Sequence, residues 1–205
     1  MIASASVLII IATCSGLGIS AGNVARRPIN PNAGQSSAPA AGELRYKAPE
    51  GWLIEHPASK MRVAQYKLPK AAGDSEDASL VLYYFGPSQG GSVQDNIDRW
   101  LGQIEQPDGS SSREKAKTET LTVNGLKVTM IDVAGTYTAE MSPGSGTHYN
   151  KPDYRLRAAV VETSNGNYFV KLVGPQKTVR RWDQAFIDYV KSFEFKSSEK
   201  RMDTL

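Results

Sequence analysis

The residues of this chain best suited to chemistry are one serine, two histidines and a knot of acids. Gly86-Pro87-Ser88-Gln89-Gly90 satisfies G-x-S-x-G, the pattern of a hydrolase nucleophile elbow, and lies between an apolar run and a helical pattern. In an elbow the helix starts directly behind the serine, so that backbone N–H groups form the oxyanion hole. Here Gly90, Gly91 and a better N-cap, Ser92, stand between Ser88 and the helix. A glycine turn feeding a capped helix is the plainer account, and a serine hydrolase using Ser88 is the alternative. His56 and His148 lack the spacing of a metal site, where three or four ligands must converge. Asp74, Glu76 and Asp77 share a loop without the ligand spacing of a calcium hand, which describes a solvated acidic loop. Neither a metal nor a cofactor is expected, and no catalytic constellation stands out.

Binding chemistry is better represented. Arg155, Arg157, Lys171, Lys177, Arg180 and Arg181 make the last third locally basic. Arg155 and Arg157 alternate and so share one sheet face, suited to an acidic partner, to anionic headgroups or to plain solvent exposure. Just before them the stretch Met141–Tyr154 reads as a loop long for a compact domain, and such loops usually have a use. His148, Tyr149, Tyr154, Arg155 and Arg157 are therefore the candidate binding residues.

Composition bounds the rest. The 205 residues carry 24 Lys and Arg against 21 Asp and Glu, a net charge of +3, spread without the basic stripe that nucleic acid requires. The single cysteine, Cys14, lies in an apolar leader, so the domain itself has no thiol or disulfide chemistry. Residues 1–22 contain a short apolar run, Val7 to Ala12, of signal-peptide length, with no Lys or Arg before it. Ile11-Ala12-Thr13-Cys14 resembles a bacterial lipobox but departs from it at Thr13. Lipid modification of Cys14, cleavage near Ala21 or Ala25, and an uncleaved anchor are the alternatives. Residues 23–43 are a Gly, Ala, Pro and Asn-rich tether, 44–196 the folded domain, and 197–205 a polar tail.

The elements that must position the candidates follow from periodicity. Short strands are expected at Leu44–Ala48 and Trp52–Ile54, longer ones at Met61–Leu68 and Leu80–Phe85, the last an apolar run buried on both faces. Ser92 with Asp95 approaches a capping box, and Val93, Ile97, Trp100, Leu101 and Ile104 form one helical stripe. Two hairpins follow, each with a type I′ turn, at Asn124-Gly125 and at Asn165-Gly166. A closing helix over about 178–193 carries Val179, Trp182, Phe186, Tyr189, Val190 and Phe193 on one face. Tight hairpins with two amphipathic helices define an α+β domain with a central antiparallel sheet.

Pro49-Glu50-Gly51-Trp52, a strand pair, a helix, two Asn-Gly hairpins and an aromatic closing helix together resemble the fold shared by the photosystem II protein PsbP and the Ran-binding Mog proteins. The resemblance covers roughly residues 44–196 and implies an α/β/α sandwich with non-catalytic binding or assembly roles. No ligand residue of that family carries over. The expectation is an exported binding or accessory module of the bacterial envelope with a protein partner, lipid-anchored or periplasmic. A structural subunit of an envelope assembly is the other non-enzymatic reading.

Overall fold

A computed structural model describes residues 43–197. The leader, Cys14, the tether up to residue 42 and the tail from residue 198 lie outside the described residues. In chain order the elements are β1 (Glu43–Arg45), β2 (Leu53–Glu55), β3 (Arg62–Leu68), β4 (Ala78–Tyr84), α1 (Val93–Leu101), β5 (Ile104–Glu105) and α2 (Ser112–Lys115). Then come β6 (Lys117–Val123), β7 (Leu126–Tyr137), β8 (Lys151–Thr163), β9 (Gly166–Pro175), α3 (Gln176–Arg181), α4 (Asp183–Lys191) and β10 (Glu194–Lys196).

An antiparallel sheet runs in the order β2-β3-β4-β9-β8-β7-β5, with β6 also paired to β7; β1 and β10 form a separate ribbon. The sheet has an apolar core on each face because its central strands carry apolar residues pointing to both sides. On β8, Leu156, Ala158 and Val160 join Ile97, Trp100 and Leu101 of α1 in one core. Ala159 and Val161 point the other way, into a core with Val179, Phe186, Tyr189, Val190 and Phe193. Phe186, Tyr189 and Phe193 are fully buried, each stabilising the fold by about 2–3 kcal/mol. Trp52 packs against Tyr66 and Tyr189 with ring centroids 5.4 and 5.1 Å apart, which closes the second core beneath the Pro-Glu-Gly turn.

Local chemistry sets the element ends. Ser92 and Asp95 make a complete capping box, the Asp95 amide donating to Ser92 Oγ at 3.0 Å and the Ser92 amide to Asp95 Oδ2 at 3.2 Å. The helix ends at Leu101, and Ile104, the last position of the expected stripe, has crossed into β5. It is still buried in the same core. The polar stretch after it holds the four-residue α2, whose Ser111 Oγ caps Arg113 N at 3.2 Å.

Asn124-Gly125 turns as expected, with φ of +47° and +82° at the two central positions. The second hairpin does not. Thr163 pairs with Gly166, so Ser164 and Asn165 form the loop, and Asn165 does not have a positive φ. Only Gly166 does, at +102°, and a Cβ there would also come within 2.9 Å of the Gly86 carbonyl. Thr163 Oγ1 accepts from the Asn165 amide at 3.2 Å and donates to the Gly166 carbonyl at 2.5 Å, ties that hold the tighter geometry. The closing helix is broken as well. Trp182, at φ −100° and ψ 12°, separates α3 from α4, and its indole donates to the Pro69 carbonyl at 2.9 Å. Among the described residues there are thus four helices rather than two, and a short strand not expected after the closing helix, β10, pairs with β1.

Candidate binding groove

The site is built where β7 ends and β8 begins. Gly135 lets the Glu105 carbonyl of β5 approach to 2.5 Å of where a Cβ would stand. The register against β8 shifts between Gly135 and Tyr137, a bulge-like irregularity at the rim of the sheet. The connecting loop, residues 138–150, is shorter than expected because Lys151–Tyr154 already belong to β8. It folds on itself: Tyr149 N donates to the Ala139 carbonyl at 2.9 Å, and Met141 N to the Thr147 carbonyl at 2.8 Å. Glu140 clasps the tip, its carboxylate accepting from the Gly146 and Gly144 amides at 2.8 and 3.0 Å. Those bonds hold its pKa below the usual carboxylate value.

Between this loop and the C-terminal end of α1 lies an open groove of about 600 Å³, lined by Gln103, Glu105, Glu140, His148, Tyr149 and Asn150 among others. Thr138 N donates to the Gln103 carbonyl at 2.9 Å and fixes the groove floor. Behind it three tyrosines stack. Tyr137 lies 5.6 Å from Tyr149 and 6.0 Å from Tyr154, with planes within 25° and 12° of parallel. The Lys151 ammonium sits 5.2 Å from the Tyr149 ring centre and 5.4 Å from that of Tyr154. Burial raises the Tyr137 phenol to about 12. Burial, then the Glu76 carboxylate, raises that of Tyr154 further. Tyr137 and Tyr154 therefore stay neutral, suited to stacking and hydrogen bonding.

His148 and Tyr149 thus sit on the groove, whereas Tyr154, Arg155 and Arg157 stand differently. Tyr154 is buried and donates to Glu76, which also receives Lys151 Nζ at 2.7 and 2.8 Å. Arg155 and Arg157 share a face as expected, but that face carries α4 and is not open to solvent. Arg155 reaches Asp132 through Nε at 2.7 Å and Asp183 through Nη1 at 2.9 Å. Arg157, only 7% exposed, donates to Asp183 Oδ1 at 2.9 Å and lies 4.7 Å from the Phe186 ring centre. Hydrogen bonding to Asp132 raises the Arg155 pKa further, so its charge is permanent and internally matched.

The acidic loop is likewise engaged. Asp74 accepts from the Thr178 amide and hydroxyl at 2.8 and 2.6 Å, Glu76 is held as described, and Asp77 accepts from the Lys70 amide at 2.9 Å. Ser88 occupies the third position of a turn closed by Gln89 N to the Gly86 carbonyl at 3.2 Å. Its φ of +57° with proline before it is the pattern of a type II turn. No hydrogen bond joins Ser88 to His56 or His148 among the described residues. There, too, no group of His, Cys, Asp and Glu has metal-binding geometry, and no helix is long and apolar enough to cross a membrane.

Sequence reasoning passed over Gln103 and Tyr137, which read as a helix terminus and a strand end. Lys171 belongs to the basic residues of the last third, and the further signal it carries is a charge inside the apolar run YFVKLV of a central strand.

No family model matches the chain, and no curated protein sequence matches it. Among solved structures it is similar to LpqN, involved in cell envelope biogenesis of Mycobacterium tuberculosis, with a TM-score of 0.46, 8% identity, and 77% and 86% of the two chains covered. PsbP (CyanoP) of Synechocystis sp. PCC 6803 aligns at 0.41 and 12% identity over 77% of this chain and 94% of that one. A Pseudomonas aeruginosa protein of unknown function aligns at 0.41 and 13% over 69% and 94%.

Proposed function

We propose that the chain is an exported, non-catalytic binding or accessory module of the bacterial envelope, with a protein as its partner. The groove at Gln103, His148 and Tyr149 supports this most, since it joins exposed polar groups to a stacked aromatic wall on a rigid sheet. In this reading His148 and Tyr149 meet the partner, and Tyr154, Arg155 and Arg157 brace the strand beneath. The leader and Cys14 would deliver the domain to the envelope side of the membrane, with a lipid anchor where Cys14 is acylated.

Site-specific photocrosslinking in the source cell tests the reading. A benzophenone side chain at position 148 is expected to give one discrete adduct that the same group at Glu119, on exposed β6, does not give. No adduct at 148, or the same products at both positions, would sink the proposal. The exposed apolar residues Leu53 and Ile54 on edge strand β2 favour the structural-subunit reading instead. That reading expects self-association in sedimentation velocity that Ile54→Lys abolishes.

A further inference from the structure

Lys171 stands mid-strand in β9, paired with Val81 of β4 on one side and Ala158 of β8 on the other. It projects on the α1 side of the sheet, half-buried, and its Nζ is held in place. Gln103 Oε1 accepts from it at 2.5 Å, Tyr137 Oη lies at 3.3 Å, and the Tyr137 ring centre is 5.2 Å away. All of these partners are neutral. An ammonium has three N–H donors, so at least one is left without a protein acceptor among the described residues. Repulsion from a second cation, Arg99, also acts on it, and the Arg99 guanidinium bonds to the neutral Asn96. Neither Lys171 nor Arg99 has a carboxylate within ion-pair distance among the described residues. By contrast Lys151 has Glu76, and Arg155 and Arg157, on the opposite face of the sheet, have Asp132 and Asp183.

Withdrawing a cation from water with no counter-charge is costly, and a second cation beside it adds to the cost. A freely snorkelling lysine would relieve this by reaching into solvent, but here the head group is bonded to Gln103, a residue that lines the groove. We propose that Lys171, with Arg99 beside it, seats a small oxyanion, the carboxylate or phosphate group of a ligand. The anion takes the unused N–H of Lys171, supplies the missing counter-charge, and accepts further from Arg99. Burial and Arg99 lower the Lys171 pKa to about 8, so at neutral pH most molecules carry the ammonium that such an anion needs. The site adjoins the groove through Gln103 but does not require the partner reading above, and its test leaves the 138–150 loop untouched.

The full chain is unfolded thermally in inorganic phosphate and in chloride at matched ionic strength, pH 7. Phosphate at about ten times its dissociation constant is expected to raise the midpoint by about 3–6 °C. Lys171→Gln should abolish that rise and Arg99→Gln should reduce it. Arg99 is exposed, so its variant keeps the test valid should the Lys171 variant fold poorly. Co-sedimentation with phosphatidylglycerol vesicles separates the source of the anion. A Lys171-dependent phosphate effect assigns the site to a soluble ligand, and Lys171-dependent vesicle binding alone assigns it to a lipid headgroup. No effect of either probe on the wild type, or equal effects on all three proteins, overturns the proposal.

Discussion

One carboxylate oxygen of Asp74 accepts from both the backbone amide and the hydroxyl of Thr178, 104 residues further along the chain. That hydroxyl in turn accepts from the Ala71 amide at 3.0 Å. The loop between β3 and β4 is therefore the cap of α3, a helix whose own preceding residue, Pro175, has no capping side chain. Asp74→Ala and Thr178→Val should each lower stability by about 1–2 kcal/mol in urea denaturation. Because the two act on one network, the double variant should lose less than the sum.

Asp183 joins the start of α4 to both arginines of β8. Asp183→Asn leaves two partly buried guanidiniums short of one charge, and a loss of about 2–3 kcal/mol is expected. Arg157→Met keeps the packing on Phe186 and should cost less than Arg157→Ala. Urea midpoints rank the three variants, and near-wild-type stability in Asp183→Asn would contradict the bracing role.

Lys171 predicts an alkaline gain in stability. Its folded pKa of about 8 lies below the ordinary lysine value of 10.5, so between these values the unfolded chain holds the proton more tightly. Where the unfolded state binds more protons, stability rises with pH. The wild type in chloride buffer should gain stability from about pH 8 to 10.5, and Lys171→Met should lack that gain. Below pH 8 the methionine variant should be the more stable protein, by about 1–2 kcal/mol. Chemical denaturation across this range reads both effects.

Ser88 bears a left-handed backbone because of the turn it occupies. Ser88→Gly relieves that conformation and should stabilise the protein by about 0.5–1 kcal/mol. A hydrolase would lose its nucleophile in the same variant. Ester turnover that disappears with Ser88→Gly would revive the enzymatic reading.

The sheet was legible in the sequence wherever residue type alone decides conformation. Asn124-Gly125 needs only its own φ values, and the β3, β4 and α1 patterns need only their periodicity. Asn165-Gly166 has the same letters, but Thr163 ties the chain one residue earlier and Gly86 crowds Gly166, so neighbours distant in sequence chose the turn. The break at Trp182 depends on Pro69, and the fates of Asp74 and Glu76 depend on Thr178, Tyr154 and Lys151. Arg155 and Arg157 could be placed on one face by alternation, yet which helix would cover that face is a matter of tertiary packing. Half the groove was visible as a long loop; the other half comes from Gln103 and Tyr137, whose roles exist only once β5 lies against β7.

The ribbon of β1 and β10 has a mechanical consequence. Glu43 pairs with Lys196, so the chain enters and leaves the described domain at the same end of an antiparallel pair. Tension applied through the two ends would part Glu43 from Lys196, then Leu44 from Phe195, then Arg45 from Glu194, one rung at a time. A strand pair loaded this way opens like a zip, whereas one loaded along its length must break all its bonds together. The domain should therefore yield at low force when pulled by both termini. A load carried by the N-terminus alone, against a partner seated at the groove, would not peel this ribbon from both ends.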